Sequence, residues 1–222
     1  MFDRIAPVYD RMNSMMTVGL DGSWRRAAVR ASGLRPGMVA LDVACGSGAL
    51  TRELARAVGQ TGEVTGIDIS GQMLHVARQR QSPRTAARPT YLQADALALP
   101  LADASVDAAT IGFGLRNVSD YRRCLDEMAR VTRAGGIVVV LEIATPRNRI
   151  GRVLAATWFR RIVPALGRLA GAGPAYRYLP ESVRRYPLPE EVAATMRAAG
   201  LAGVRWRRMG LGMVTLHAGR RV

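Results

Sequence analysis

Apolar and polar residues follow two rhythms along this chain, which predict strands and helices in turn. Between residues 38 and 143, short apolar runs typical of buried strands alternate with stretches whose apolar residues recur every three or four positions. The predicted strands cover 38–43, 63–67, 91–93, 106–113 and 137–143, and the predicted helices cover 49–58, 71–80 and 121–132. Strands that alternate with helices indicate an α/β fold, a doubly wound and mostly parallel sheet.

The segment before this core is predicted to form a lid. Residues 1–33 mix aromatic, methionine and Asp or Asn side chains without a clean helical period, and a helix is predicted only from Trp24 to Gly33. We expect short helices over the carboxyl edge of the sheet, with a packed N-terminal arm as the alternative. Together with the core at 38–145, the chain of 222 residues fits a single domain, 1–222.

The segment after the core departs from the strand–helix rhythm. Residues 146–187 carry an apolar stripe flanked by arginines, from Ile150 to Leu169, and then a loop is predicted at Tyr176–Ser182. A basic amphipathic helix of this kind either lies on a membrane surface or packs on its own domain. The last part, 188–222, is predicted to form a helix, Pro189–Ala199, and an antiparallel hairpin of Val204–Arg208 and Met213–His217 at the sheet edge.

The turn after the first predicted strand is the strongest chemical signal. Gly46 and Gly48 lie between that strand and the first helix of the core, where glycine lets a ligand approach the main chain. A dinucleotide fingerprint needs a third glycine at the position of Thr51, and Asp42 before the loop would repel a pyrophosphate. Asp42 suits the cationic S-adenosylmethionine (SAM), and Asp68 after the second strand can accept ribose hydroxyls. The pattern therefore predicts a SAM site.

Charge and composition restrict the other function classes. All 32 basic residues are arginine; residues 1–146 carry 17 of them with 14 acidic residues, and residues 147–222 carry 15 with 3. The basic C-terminal third suggests an anionic lipid surface or a nucleic acid. A nucleic-acid partner is disfavoured because aromatic residues make up only 5% of the chain and the sequence shows no platform of aromatic residues for stacking bases. Two separated cysteines and two histidines predict no disulfide framework and no metal site.

Several stretches make the sequence similar to the ubiquinone/menaquinone biosynthesis C-methyltransferase family of SAM-dependent enzymes, which includes demethylmenaquinone methyltransferases. They are Phe2-Asp3-x-Ile5-Ala6-x-x-Tyr9-Asp10 with Asn13 and Gly19-Leu20-Asp21-x-x-Trp24-Arg25, Leu41-Asp42-Val43-Ala44-Cys45-Gly46-Ser47-Gly48, Gly112-Phe113-Gly114-Leu115-Arg116-Asn117-Val118, Tyr176-Arg177-Tyr178-Leu179-Pro180-Glu181-Ser182, and Val214-x-Leu216-His217-x-Gly219. The resemblance spans nearly the whole chain. It implies a Rossmann-like class I methyltransferase fold, a seven-stranded sheet whose last strand is antiparallel.

The resemblance also implies a SAM-binding set. We expect the cofactor to contact Asp42, Gly46, Ser47, Gly48, Asp68, Ile69, Asp95, Ala96 and Gly112. Ser47 would hydrogen-bond the methionine part, Asp68 the ribose and Asp95 the adenine amino group. The family often has Ser where this chain has Gly112, and Thr-Gly-Asp where it has Ser47-Gly48-Ala49. A missing serine removes one hydrogen bond, worth ~1 kcal/mol.

The implied reaction is C-methylation of a polyprenylated quinol in respiratory quinone biosynthesis, demethylmenaquinol or the ubiquinol precursor. Arg116 is the predicted catalytic cation that favours loss of the phenol proton, with a structural salt bridge as the alternative role. Tyr9, Asn117 and Tyr178 are predicted to orient the substrate. A methyltransferase for another lipid or a polyketide, an RNA-binding or RNA-modifying protein and a nicotinamide oxidoreductase are the competing interpretations.

The expected setting follows from this substrate. We expect a cytoplasmic protein, peripheral to the anionic inner face of the membrane, without a nucleic-acid partner and compatible with a homodimer. No stretch approaches the ~18 apolar residues of a membrane span.

Overall fold

The computed structural model describes residues 14–17, 19–80, 83, 85–146, 151, 157 and 178–222, with the backbone alone at 178–180. Most of the predicted lid, including Tyr9, and most of the apolar stripe from Ile150 to Leu169 lie outside the described residues. Within the described residues, no helix combines the length and apolar content needed to cross a membrane.

The described residues form one seven-stranded sheet in the order β3-β2-β1-β4-β5-β7-β6. The strands are β1 Val39–Val43, β2 Glu63–Asp68, β3 Thr90–Gln93, β4 Val106–Gly112, β5 Thr132–Ile143, β6 Leu201–Met209 and β7 Val214–Arg221. β1 to β5 pair in parallel, and β7 is antiparallel to both β5 and β6. The predicted fold class, a doubly wound sheet with an antiparallel last strand, is confirmed.

Helices cover both faces of this sheet. They are α1 Asp21–Ser32, α2 Ala49–Val58, α3 Gly71–Gln79, α4 Tyr121–Val131, α5 Tyr178–Arg185 and α6 Pro189–Ala198. On one face, Leu125 and Met128 of α4 pack in the same apolar cluster as Met196 of α6. On the other face, Trp24 of α1 and Leu54 of α2 share a second cluster. Central strands such as Val138–Leu141 are therefore buried on both sides, as their continuous apolar run predicts.

Two local predictions were wrong. Residues 178–182 were expected to be a loop, but α5 covers Tyr178–Arg185. Pro180 does not prevent this, because a proline in the first turn of a helix removes only an N–H that has no partner within the helix. β5 begins at Thr132 instead of Ile137, since Thr132 already pairs with Val106 of β4 across an irregular register.

The topology places the candidate site. Because β1, β2, β3 and β4 are parallel, the loops after Val43, Asp68, Gln93 and Gly112 all lie at the same edge of the sheet. Ligands of open α/β sheets bind in the crevice at this edge.

Candidate active site

The loop after β1 needs glycine for two reasons. Gly48 has a left-handed φ of 75°, which side chains disfavour. A Cβ atom there would also lie 2.5 Å from the hydroxyl oxygen of Tyr91 and 3.2 Å from the Cβ of Ala77. Gly48 is the N-cap of α2 and has no side chain that could cap the helix. The contact with Tyr91 keeps the main chain of the loop close to β3.

Asp42, near the end of β1, is a buried carboxylate at the floor of the site. It accepts hydrogen bonds from the hydroxyls of Thr51, at 2.6 Å, and Thr110, at 3.0 Å. Burial raises the pKa of Asp42 to about 6, against the opposing effects of the two hydroxyls and of the Arg25 charge. A cation bound nearby would favour the ionised form of this carboxyl.

Asp68, at the end of β2, is held by the main chain on two sides. One carboxylate oxygen accepts from the N–H of Gly46 at 2.8 Å, and the other accepts from the N–H of Ser70 at 2.8 Å. The two main-chain bonds orient the Asp68 carboxylate. An ionised carboxylate accepts hydrogen bonds and donates none, so Asp68 suits a ligand that carries hydroxyls.

The loop after β3 supplies a third carboxylate. Asp95 is exposed and one of its oxygens accepts from the N–H of Leu97 at 2.9 Å. Ile69, which follows Asp68, is 70% exposed. An apolar side chain that open is available to cover a flat ring.

These elements surround one cavity of about 390 Å³, within the usual range for small-molecule sites. Eight of the nine residues predicted to bind the cofactor line it: Asp42, Gly46, Ser47, Asp68, Ile69, Asp95, Ala96 and Gly112. Gly48 is not in the lining and instead provides the space beside Tyr91. Among the described residues, no group of acidic, cysteine or histidine side chains could hold a metal ion.

Gly112 ends β4 against an apolar neighbour. A Cβ atom at this position would lie 2.9 Å from a methyl carbon of Leu50. Leu50 is itself part of the cavity lining. A serine here would therefore have to displace the end of the Leu50 side chain. The glycine at 112 leaves the space that Leu50 of α2 occupies.

Arg116, the predicted catalytic cation, forms a buried ion pair and does not line the cavity. Its guanidinium pairs with Glu142 of β5 at 2.5 Å and donates to the carbonyl of Phe113 at 2.5 Å. The two side chains of the ion pair are 7% and 0% exposed, and Arg116 is not in the cavity lining. The structural salt bridge, the alternative role, describes this contact.

Of the three residues predicted to contact the substrate, the structure describes the side chain of Asn117 only. Asn117 lines the cavity beside Gly114 and Val118. Tyr9 lies outside the described residues, and Tyr178 begins α5 with its side chain outside the description. Their roles stay predictions.

The lining also contains residues to which the sequence interpretation gave no role in the site, among them Arg25 and Phe113. Arg25 forms an ion pair with Asp21 one helical turn earlier, and its guanidinium carbon lies 5.7 Å from the centre of the Phe113 ring. The spacing of Asp21 and Arg25 on one helix face was the available signal, but it is common on exposed helices.

Comparisons with known proteins agree with this geometry. The model of the ubiE/COQ5 methyltransferase family matches residues 1–221. A demethylmenaquinone methyltransferase from Roseiflexus sp. (strain RS-1) is 43% identical over 220 residues, which cover 99% of this chain and 91% of that protein. One from Thermus thermophilus is 42% identical, and the match covers 100% of both chains. The ubiquinone/menaquinone biosynthesis C-methyltransferase UbiE of Geotalea daltonii is 38% identical and covers 100% of this chain and 94% of that protein.

Solved structures share the fold at low identity. The methyltransferase complex with the Trm112 activator of Haloferax volcanii has a TM-score of 0.71 at 18% identity, covering 99% of this chain and 97% of that one. A SAM-dependent methyltransferase from Thermotoga maritima has a TM-score of 0.68 at 20% identity, covering 100% and 98%.

Proposed function

The chain belongs to the ubiE/COQ5 methyltransferase family, and from that premise we propose that it methylates a ring carbon of a polyprenylated demethylmenaquinol with SAM as the donor. Relatives that it matches over nearly its whole length carry the name demethylmenaquinone methyltransferase. The observation that carries the proposal is a row of three carboxylates, Asp42, Asp68 and Asp95, near the ends of three neighbouring strands on one cavity.

The residues of the cavity fit SAM. The carboxylate of Asp68, oriented by two main-chain N–H groups, can accept from the ribose hydroxyls, and the second oxygen of Asp95 can accept from the adenine amino group. Ser47 and the main chain of the glycine loop would hold the methionine part, and exposed Ile69 would cover the adenine ring. When bound, SAM supplies a methyl group attached to a positively charged sulfur.

The acceptor ring must lose a proton from its hydroxyl before its carbon becomes a good nucleophile. A phenol with a pKa of ~10 is mostly neutral at pH 7, so the site has to favour the phenolate. Asn117 lines the cavity and can donate a hydrogen bond to that oxygen. Because Arg116 pairs with Glu142 and does not line the cavity, we assign it the role of a positioning residue that fixes the loop carrying Asn117. Tyr9 and Tyr178 complete the proposed substrate contacts.

A direct assay tests the proposal. The protein is incubated with methyl-labelled SAM and reduced demethylmenaquinone, and the quinone is extracted into hexane. We expect label in the methylated product, and a loss on the order of 100-fold in Asp68→Ala, which removes two charge-assisted hydrogen bonds to ribose. Exposed Asp126→Asn is the matched control.

The assay separates the competing substrates. If the demethylated ubiquinol precursor is labelled and demethylmenaquinol is not, the quinone is reassigned. If S-adenosylhomocysteine binds but neither quinol accepts label, the protein is a methyltransferase of another lipid or of a polyketide.

The setting of the reaction is part of the same proposal. The polyprenyl tail is insoluble in water, and residues 147–222 carry 15 arginines against 3 acidic residues. We propose that this basic third holds the protein at an anionic membrane surface on its cytoplasmic side.

A further inference from the structure

The cavity contains one feature that the predicted cofactor set does not explain, the side chain of Arg25. Among the described residues that line the cavity, Arg25 is the only cation, and the lining also contains three carboxylates, Asp42, Asp68 and Asp95. We propose that Arg25 binds the carboxylate of the amino-acid part of the methyl donor. This inference rests on the proposed function and names the group that holds one end of the same ligand.

The strand order determines where that end lies. β3 and β2 are at one side of the cavity. Asp95 follows β3 and Asp68 ends β2, and these two carboxylates suit adenine and ribose. A ligand placed there extends its amino-acid part over β1 and β4. Arg25 projects from α1 toward this far side, because its guanidinium carbon is 5.7 Å from the centre of the Phe113 ring, which directly follows β4.

The charges of the ligand match this arrangement. SAM carries a sulfonium and an ammonium group, both positive, and one carboxylate. Asp42 and Asp68 can attract the positive groups, but a carboxylate placed among them would be repelled without a cation. Arg25 brings a guanidinium to the end where the carboxylate must lie, and its ion-pair partner Asp21 is not part of the cavity lining. A guanidinium also matches the planar geometry of a carboxylate, with two parallel hydrogen bonds.

The local structure holds Arg25 ready for such a contact. Its side chain is 11% exposed, and that of its ion-pair partner Asp21 is 13% exposed. Of its five N–H groups, the hydrogen bond described within the chain uses one, to Asp21. The guanidinium lies over the Phe113 ring. The guanidinium is thus oriented before the ligand arrives and needs little further ordering on binding.

A purely structural role is the alternative interpretation. Ion pairs one helical turn apart are common and worth only a few tenths of a kcal/mol on exposed helix surfaces. Arg25 differs from them because it is largely buried and lines a cavity. A structural role would leave ligand affinity unchanged, or would weaken all ligands alike.

Calorimetry with two ligands distinguishes these roles. S-adenosylhomocysteine has the amino-acid carboxylate, and methylthioadenosine has the same nucleoside without the amino acid. In Arg25→Met we expect affinity for S-adenosylhomocysteine to fall about 10- to 100-fold, the range for charge-assisted hydrogen bonds. Affinity for methylthioadenosine should stay within about twofold. Arg25→Lys, which keeps the charge without the paired donors, should recover part of the loss. Exposed Arg26→Met on the same helix is the control.

Each other outcome overturns the inference. Equal losses for both ligands, together with a lower melting temperature, would make Arg25 a folding residue. Unchanged affinity for both ligands with a higher KM for the quinol would assign it to the acceptor oxygen. If S-adenosylhomocysteine does not bind the unaltered protein, the proposed function itself fails, which is a separate result.

Discussion

At the scale of single residues, the glycine loop shows how a missing side chain shapes the site. The hydroxyl of Tyr91 occupies the space that a side chain at position 48 would need, at 2.5 Å. The φ of Gly48, 75°, adds a backbone cost for any other residue. The ligand-binding loop and strand β3 are therefore coupled through one contact between residues that are far apart in the sequence.

We expect Gly48→Ala to destabilise the protein by ~1–3 kcal/mol, since the left-handed backbone alone costs ~1–2 kcal/mol. Tyr91→Phe removes the clashing oxygen. In the double variant we expect part of the stability to return, and the part that stays lost measures the backbone cost. Urea unfolding of the wild type, the two single variants and the double variant gives a double-mutant cycle. Equal losses in the single and the double variant would contradict a clash with Tyr91.

His217 of β7 carries the clearest pH dependence. It is fully buried, stacks on Trp206 at 5.9 Å between ring centres, and donates from Nε2 to the carbonyl of Pro189 at 3.0 Å. Burial lowers its pKa to about 4 from the usual 6.5. Between pH 6.5 and 4 this histidine is protonated in the unfolded chain and neutral in the folded protein. The free energy of unfolding therefore falls as pH falls through this range.

The measurement compares the wild type with His217→Asn in urea at several pH values. As pH falls through this window, the wild type should lose up to about 3 kcal/mol of unfolding free energy relative to His217→Asn. The difference between the two proteins should be constant above a pH of about 7. A difference that does not change with pH would show that the histidine titrates normally in the folded state.

At the scale of elements, the capping of α4 follows its sequence closely. The carboxylate of Asp120 accepts from the N–H groups of Arg122, at 3.0 Å, and Arg123, at 3.1 Å. Ser119 and Asp120 both carry side chains that favour an N-cap. In the structure the cap is Asp120, one residue before Tyr121.

We expect Asp120→Ala to lower stability by ~1 kcal/mol and Asp120→Asn to lose much less, because an amide oxygen can still accept. Thermal melting of both variants checks this. Ser119→Ala is the matched control and should melt like the wild type; a loss there equal to that of Asp120→Ala would mean that the cap is shared.

Elements with a strong apolar rhythm were predictable, and those defined by distant contacts were not. Helix α2 has the predicted bounds, Ala49–Val58, because its apolar face and flanking glycines are local signals. The start of β5 depends on Thr132 pairing with Val106, a contact that no local pattern reveals. The same holds for Arg116, whose partner Glu142 is 26 positions away.

At the scale of the whole molecule, the parallel sheet explains why the cofactor residues could be predicted together. Parallel strands bring their carboxyl ends to one edge of the sheet. Asp42, Asp68 and Asp95 lie near the ends of β1, β2 and β3, so they share one cavity. Arg25 reaches the same cavity from a helix before the first strand. Its position depends on how α1 packs against the sheet, which periodicity does not determine.

The uneven charge of the chain leads to a prediction for the whole protein. The excess of arginines in residues 147–222 should attract it to acidic lipid. In flotation assays we expect it to rise with vesicles that contain phosphatidylglycerol and to be released by added salt. Vesicles of phosphatidylcholine alone are the control. If the protein fails equally with both vesicle types, membrane attachment through charge is wrong.

The outermost strand, β6, has one open side, since β7 is its only neighbour in the sheet that the described residues form. Unpaired main-chain groups on such an edge invite another protein to add a strand and start aggregation. Here the register of β6 is irregular between Ala202 and Arg205, and Arg205 and Arg207 are exposed. A kinked, positively charged border is a poor template for further strands, so the fold protects itself against edge-to-edge polymerisation where its sheet ends.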